Sequence, residues 1–88
     1  MNPRFEELRA LIVANDERIV GLVNERLRLV TALWQLKREL GLAQIDSGRE
    51  QRLRAALSAA NGGPLSAEGL DGLVTELLAL TKRELGPF

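Results

Sequence analysis

From Phe5 onward the apolar residues return every three or four positions: Phe5, Leu8, Ile12, Ile19, Leu22, Leu29, Leu33, Leu36 and Leu40. Alternating steps of three and four draw a heptad seam along a helix. The pattern predicts one helix from about Pro3 to Leu40. Pro3 suits the first turn, where a missing N–H costs nothing, and Gly41 is a stop. Gly21 stands mid-helix at a cost of about 1 kcal/mol relative to Ala, which suggests a close helix contact there. A second helix is predicted from Asp46-Ser47, either of which caps a helix start. It carries Leu53, Ala56, Leu57 and Ala60 on one face and ends at the loop signal Asn61-Gly62-Gly63-Pro64. A third follows Ser66 as N-cap, with Leu65 and Leu70 spaced as a hydrophobic staple. Its stripe is Leu70, Leu73, Val74, Leu77, Leu78 and Thr81, and it ends at Gly86-Pro87. No strand pattern and no internal repeat is present. The fold class is all-α, with one long and two shorter helices.

Length turns this pattern into an assembly. A helix of about 36 residues is about 54 Å long, whereas a compact chain of 88 residues has a radius of gyration of about 12 Å. Two short helices cannot cover such a seam. The expected remedy is a second copy, giving an intertwined helical homodimer. The alternative is a monomer whose long helix breaks near Gly21. Composition (45% hydrophobic, 27% charged) is that of one globular domain, residues 1–88. Twelve Lys+Arg balance twelve Asp+Glu, which argues against a nucleic-acid binder and against a lipid-surface role. With no Cys and no His, disulfides, thiol chemistry, Cys/His zinc sites and imidazole catalysis are all excluded. Met1 to Glu7 has no signal-peptide core, and no apolar run nears the ~20 residues of a membrane span. A soluble cytoplasmic protein is the expectation. The aromatics are Phe5, Trp34 and Phe88, so the core must be aliphatic.

The informative positions break the seam. The same three-four spacing passes through Asn15 and Arg26. A buried guanidinium needs an anion or costs several kcal/mol. Lys37, eleven residues on, is close to three full turns away and projects from the same face. Two cations about 16 Å apart along the axis suggest the ends of an anionic pocket, or an internally paired arginine and a solvated lysine. Glu50 shares a face with Leu53 and Leu57. It is either part of that pocket or an internal partner for Arg26. Arg49 lies on the adjacent flank, and Asp46 sits where a cap would be. Arg9 is about 100° around the helix from Arg26. It is a solvated arginine, or one that reaches the partner's pocket in an antiparallel dimer.

Leu8-Arg9, Asp16, Glu25-Arg26, Lys37 and Asp46-x-x-Arg49-Glu50 together resemble the all-helical chorismate mutase family, in order, in spacing and in the three-helix layout. The resemblance implies an isomerase that converts chorismate to prephenate by a Claisen rearrangement, the branch step toward phenylalanine and tyrosine. It implies an intertwined dimer, two pockets and no cofactor. Carried over by position, Arg9 visits from the other chain and holds a substrate carboxylate. Arg26 holds a carboxylate within its own chain. Lys37 contacts the ether oxygen and a carboxylate. Asp46 and Glu50 meet the ring hydroxyl, and Arg49 supports the pocket and the substrate. Arg26, Lys37 and Glu50 are the implied catalytic residues. A unimolecular rearrangement needs no nucleophile or proton transfer, so a chain without Cys or His can catalyse it. Catalysis then comes from folding the substrate and from preorganised cations at the breaking ether bond, where one donor supplies about 3 kcal/mol.

One position departs from the family. Its members commonly carry Ser or Thr in the last helix and, four residues later, a Gln that contacts the ether oxygen. Thr81 matches the hydroxyl, but Leu85 occupies the Gln position, with Glu84 beside it. A second donor is therefore in doubt, and modest activity is expected. The ending Thr81-Lys82-Arg83-Glu84-Leu85-Gly86-Pro87-Phe88 is similar to the Leu-Gly-containing tails of actinobacterial intracellular members. Some of these are activated by DAHP synthase, which makes that enzyme a candidate partner, with Phe88 suited to docking. Rival readings are an isochorismate-pyruvate lyase of the same fold, a mutase acting on aminodeoxychorismate, and a non-catalytic dimerisation or regulatory module. Asp46-x-x-Arg49-Glu50 favours the mutase over the lyase, and the retained cations argue against the module.

Overall fold

The structure, a computed structural model, describes residues 2–43 and 48–86. Its helices are α1 (Pro3–Glu39), α2 (Arg49–Ala60) and α3 (Ala67–Leu85), and no strand occurs among the described residues. The chain divides into two compact units, Met1–Leu33 and Trp34–Phe88, with the boundary inside α1.

The first unit is α1 as far as Leu33. Asn2 starts it: its Oδ1 accepts the Arg4 N–H at 2.9 Å and its carbonyl accepts the Phe5 N–H at 3.1 Å. Pro3 takes the first helical position, as its fixed φ favours. The helix passes through Gly21 unbroken, so the break expected of a monomer does not occur. A Cβ at Gly21 would meet nothing within 4 Å, and the close contact expected there is not made within this chain. No residue of α1 is buried. On the seam, Ile12, Leu22 and Leu29 remain 59%, 62% and 64% exposed. Asn15, the polar interruption, accepts a hydrogen bond from Arg18 Nη2 at 3.1 Å.

The second unit opens with the last turn of α1. Gly41, with φ +66°, reverses the chain. The Leu42 N–H donates to the Lys37 carbonyl at 2.8 Å, and the Gly41 N–H donates to the Arg38 carbonyl at 3.2 Å. These are the paired bonds of a Schellman stop, which a Gly in the left-handed region makes without strain. α2 begins later than expected. Asp46 and Ser47 lie outside the described residues, and the residue at the helix start is Gly48 (φ 84°), with no side-chain cap. Arg52 N–H donates to the Gly48 carbonyl at 3.0 Å and sets the first turn.

Asn61 organises the connection to α3. Its N–H donates to the Ser58 carbonyl at 3.2 Å and its Nδ2 to the Leu65 carbonyl at 2.9 Å, while its Oδ1 accepts the Gly63 N–H at 3.1 Å. Ser66 then caps α3, its Oγ accepting the Gly69 N–H at 3.0 Å. The Leu65 side chain folds over this first turn. A Cβ at residue 69 would lie 2.7 Å from Leu65 Cδ1, so Gly69 leaves the room that Leu65 fills. α2 packs on α3. Val74 is 1% exposed and Thr81 7%, while Leu53, Leu57, Leu70, Leu77 and Leu78 are half-buried. Ala56, Ala60 and Leu73 of the expected faces stay exposed. No described helix is long and apolar enough to cross a membrane.

The capping bond is separable from the rest of the fold. Ser66→Ala is expected to cost about 1 kcal/mol. In a urea titration at fixed protein concentration the midpoint falls while the slope is unchanged. An unchanged midpoint would show that the cap adds nothing to the start of α3.

Candidate active site

The residues singled out by sequence fall in both units. Arg9 and Arg26 belong to the first; Lys37, Arg49, Glu50, Thr81, Glu84 and Leu85 belong to the second. Asp46 and Phe88 lie outside the described residues.

Arg9 is exposed, and its guanidinium lies over the Phe5 ring, 4.3 Å from the centroid. Residues four apart share a helix face. A guanidinium over a ring face is attracted to it while its N–H groups lie around its own edge. Arg26 and Lys37 are half-buried, on a helix whose seam leucines Leu22, Leu29 and Leu36 are 62%, 64% and 50% exposed. Val23, Leu27, Val30 and Leu33 are half-buried as well, so each cation has apolar neighbours covered to a similar degree. Lys37 is fixed from behind, since its own carbonyl closes the Schellman stop. As a last-turn cation it also complements the helix dipole.

Arg49 and Glu50 form the first turn of α2 and are exposed. Glu50 is an internal counter-ion, and its cation is Arg54, four residues on. Arg54 Nη2 and Nε donate to Glu50 Oε1 at 3.1 and 3.3 Å. The same guanidinium donates to Asp71 Oδ1 at 2.6 Å, to the Asp71 carbonyl at 3.3 Å and to Thr75 Oγ1 at 3.1 Å. Arg54 thus bridges α2 and α3. It was not among the candidates from sequence, although the Glu50-x-x-x-Arg54 spacing is a readable ion-pair signal. What sequence could not supply is that the Asp71 and Thr75 face of α3 meets it.

Thr81 is buried, and its hydroxyl donates to the Leu77 carbonyl at 2.7 Å. With its proton so used, the hydroxyl cannot donate to a second group. Leu85 is half-buried and Glu84 exposed at the end of α3, which Gly86 closes by donating its N–H to the Lys82 carbonyl at 2.9 Å. The apolar Leu85 has no hydrogen to donate. A cavity of about 170 Å³ lies between α2 and α3, lined by Arg54, Ser58, Ala67, Leu70, Asp71 and Val74. A larger open hollow of about 500 Å³ is bounded by Gly48, Glu50, Gln51 and Arg54.

The sequence profile of chorismate mutase type II matches residues 8–84. The chain belongs to the chorismate mutase type II family. Among solved structures it is similar to the chorismate mutase (form I) of Thermus thermophilus. The identity is 35%, the match covers 89% of this chain and 98% of that one, and the TM-score is 0.81. No curated protein matches the chain. As a family member the chain is an enzyme of the isomerase class, a chorismate mutase, and the all-helical resemblance drawn from the spacing of Arg9, Arg26, Lys37 and Arg49-Glu50 agrees with the match.

Proposed function

We propose that residues 1–88 act as one catalytic domain, working in the cytoplasm as an intertwined homodimer that rearranges chorismate to prephenate in pockets shared between the chains. The observation that carries this reading is the family match over residues 8–84, together with α1, where Arg26 and Lys37 are half-covered while most of the apolar seam stays exposed. Retained cations suit a dianionic substrate, and a bare seam suits a second copy.

In the rearrangement the ether C–O bond breaks as a new C–C bond forms within the same molecule. Nothing is added and no proton is transferred. Arg26 and Arg9 of the partner subunit hold the two carboxylates and fold the enolpyruvyl side chain over the ring. Lys37 donates to the ether oxygen as negative charge builds there. Asp46 and Glu50 meet the ring hydroxyl, whose single proton Glu50 accepts, and Arg49 lines the pocket. Thr81 and Leu85 close its far wall. Because Leu85 cannot donate, Lys37 serves the ether oxygen alone, and the rate is modest. DAHP synthase is the partner that raises it, engaging the C-terminal tail.

The direct test is disappearance of chorismate with prephenate identified as product, measured alone and with a cognate DAHP synthase. Turnover that rises with the partner is expected. Turnover unchanged by the partner would remove the regulatory role of the tail. Silence in both would overturn the mutase reading and make isochorismate the next substrate to try.

Single substitutions test the pocket. Arg26→Ala and Lys37→Ala are each expected to lower kcat/KM on the order of 100-fold or more, with helical circular dichroism retained. Full activity in either would remove it from the site. Arg9→Ala and Arg26→Ala chains, each inactive, should regain activity on mixing if pockets are shared. No recovery after demonstrated subunit exchange would place Arg9 outside the neighbouring pocket.

A further inference from the structure

Arg54 has no task in the reaction as described, yet its guanidinium is committed on every side. It donates twice to Glu50 Oε1 on its own helix, and to Asp71 Oδ1, the Asp71 carbonyl and Thr75 Oγ1 on α3. Its side chain is 29% exposed, whereas those of Glu50 and Asp71 are 61% and 71% exposed. The better-covered cation is therefore the fixed point, and the carboxylates are arranged around it. An isolated pair at these exposures would contribute little. Here one planar fork serves three residues on two helices, and that geometry limits the positions open to each.

We propose that Arg54 is a positioning residue for Glu50. It anchors the Glu50 carboxylate to α3 through Asp71 and Thr75, so that Oε2 is presented to the ring hydroxyl of the substrate. The proposal rests on the reading of Glu50 as a ring-hydroxyl contact. Both Arg54 bonds fall on Oε1, which leaves Oε2 to accept from a ligand. Glu50 and Arg54 also border the same open hollow of about 500 Å³, a space that a small ligand can enter. Without Arg54, a glutamate on the first turn of a helix keeps its rotamer freedom, and binding must remove it. The ring hydroxyl is not among the reacting atoms. The loss therefore falls equally on ground and transition states, and it appears in KM rather than kcat.

The experiment is steady-state kinetics of Arg54→Met, Arg54→Lys, Glu50→Gln and the Arg54→Met/Glu50→Gln pair, on chorismate and on an analogue lacking the ring hydroxyl, with thermal melts of each. For Arg54→Met the expected result is a KM for chorismate raised about fivefold with kcat within about twofold. The analogue should show no change, and the paired variant should be no worse than Glu50→Gln alone. Arg54→Lys, which keeps the charge but not the fork, should recover part of the loss. A folded Arg54→Met with wild-type KM, while Glu50→Gln raises it, would overturn the proposal. So would equal losses on chorismate and the analogue, which would mark Arg54 as purely structural. If Glu50→Gln itself changes nothing, the reading of Glu50 fails, and the proposal falls with it by a separate and recognisable result. Should Arg54→Met not fold, Thr75→Val and Asp71→Asn loosen the same anchor from α3, and they must raise KM for chorismate alone.

Discussion

A long helix with its apolar seam in water gains little from its own hydrogen bonds, because each replaces a bond to solvent. The first unit depends on that constraint. α1 is 37 residues long without a buried side chain, and Gly21 does not interrupt it. Stability must come from packing the seam, and whatever packs it also encloses the polar residues set into it.

The second unit solves a different problem. α2 and α3 are too short to build a core of any depth, and Val74 is the buried hydrophobic residue among those described. Local chemistry supplies what burial does not. Asn61 closes the connection with both ends of its amide, Ser66 satisfies an N–H at the start of α3, and Arg54 ties the helix pair together. A rearrangement that moves no protons suits such a scaffold. It asks for fixed charges rather than titrating ones, and arginine and lysine provide these without a deep interior.

Much of this is legible in the residues alone. The three helices follow from the Phe5-to-Leu40 spacing, the Asn61-Gly62-Gly63-Pro64 break and Ser66, since each is a local preference that no distant contact opposes. Arg26 and Lys37 stand out because they interrupt an apolar pattern. The start of α2 is less readable: Asp46 and Ser47 are better capping residues than Gly48, yet the helix begins after Gly48, where the left-handed turn sets its direction. Arg54 is hidden for another reason. Its partners Asp71 and Thr75 lie 17 and 21 residues away, and no periodicity within one helix shows which face of another will meet it. The stacking of Arg9 on Phe5 was within reach of a spacing rule, but Phe5 reads first as a seam residue.

The stop at Gly41 has a consequence for how the two cations of α1 are indexed. Arg26 takes its place from the heptad seam, counted from within the helix. Lys37 takes its place from the chain reversal, because its carbonyl receives the Leu42 N–H. One side chain is registered to a stripe and the other to an end. A residue inserted between them would turn the seam positions that follow it by about 100° against those before it. The stretch from residue 27 to 36 is therefore a spacer of fixed length. Within it the seam residues Leu29, Leu33 and Leu36 must stay apolar, while the others can vary in kind as long as their number does not.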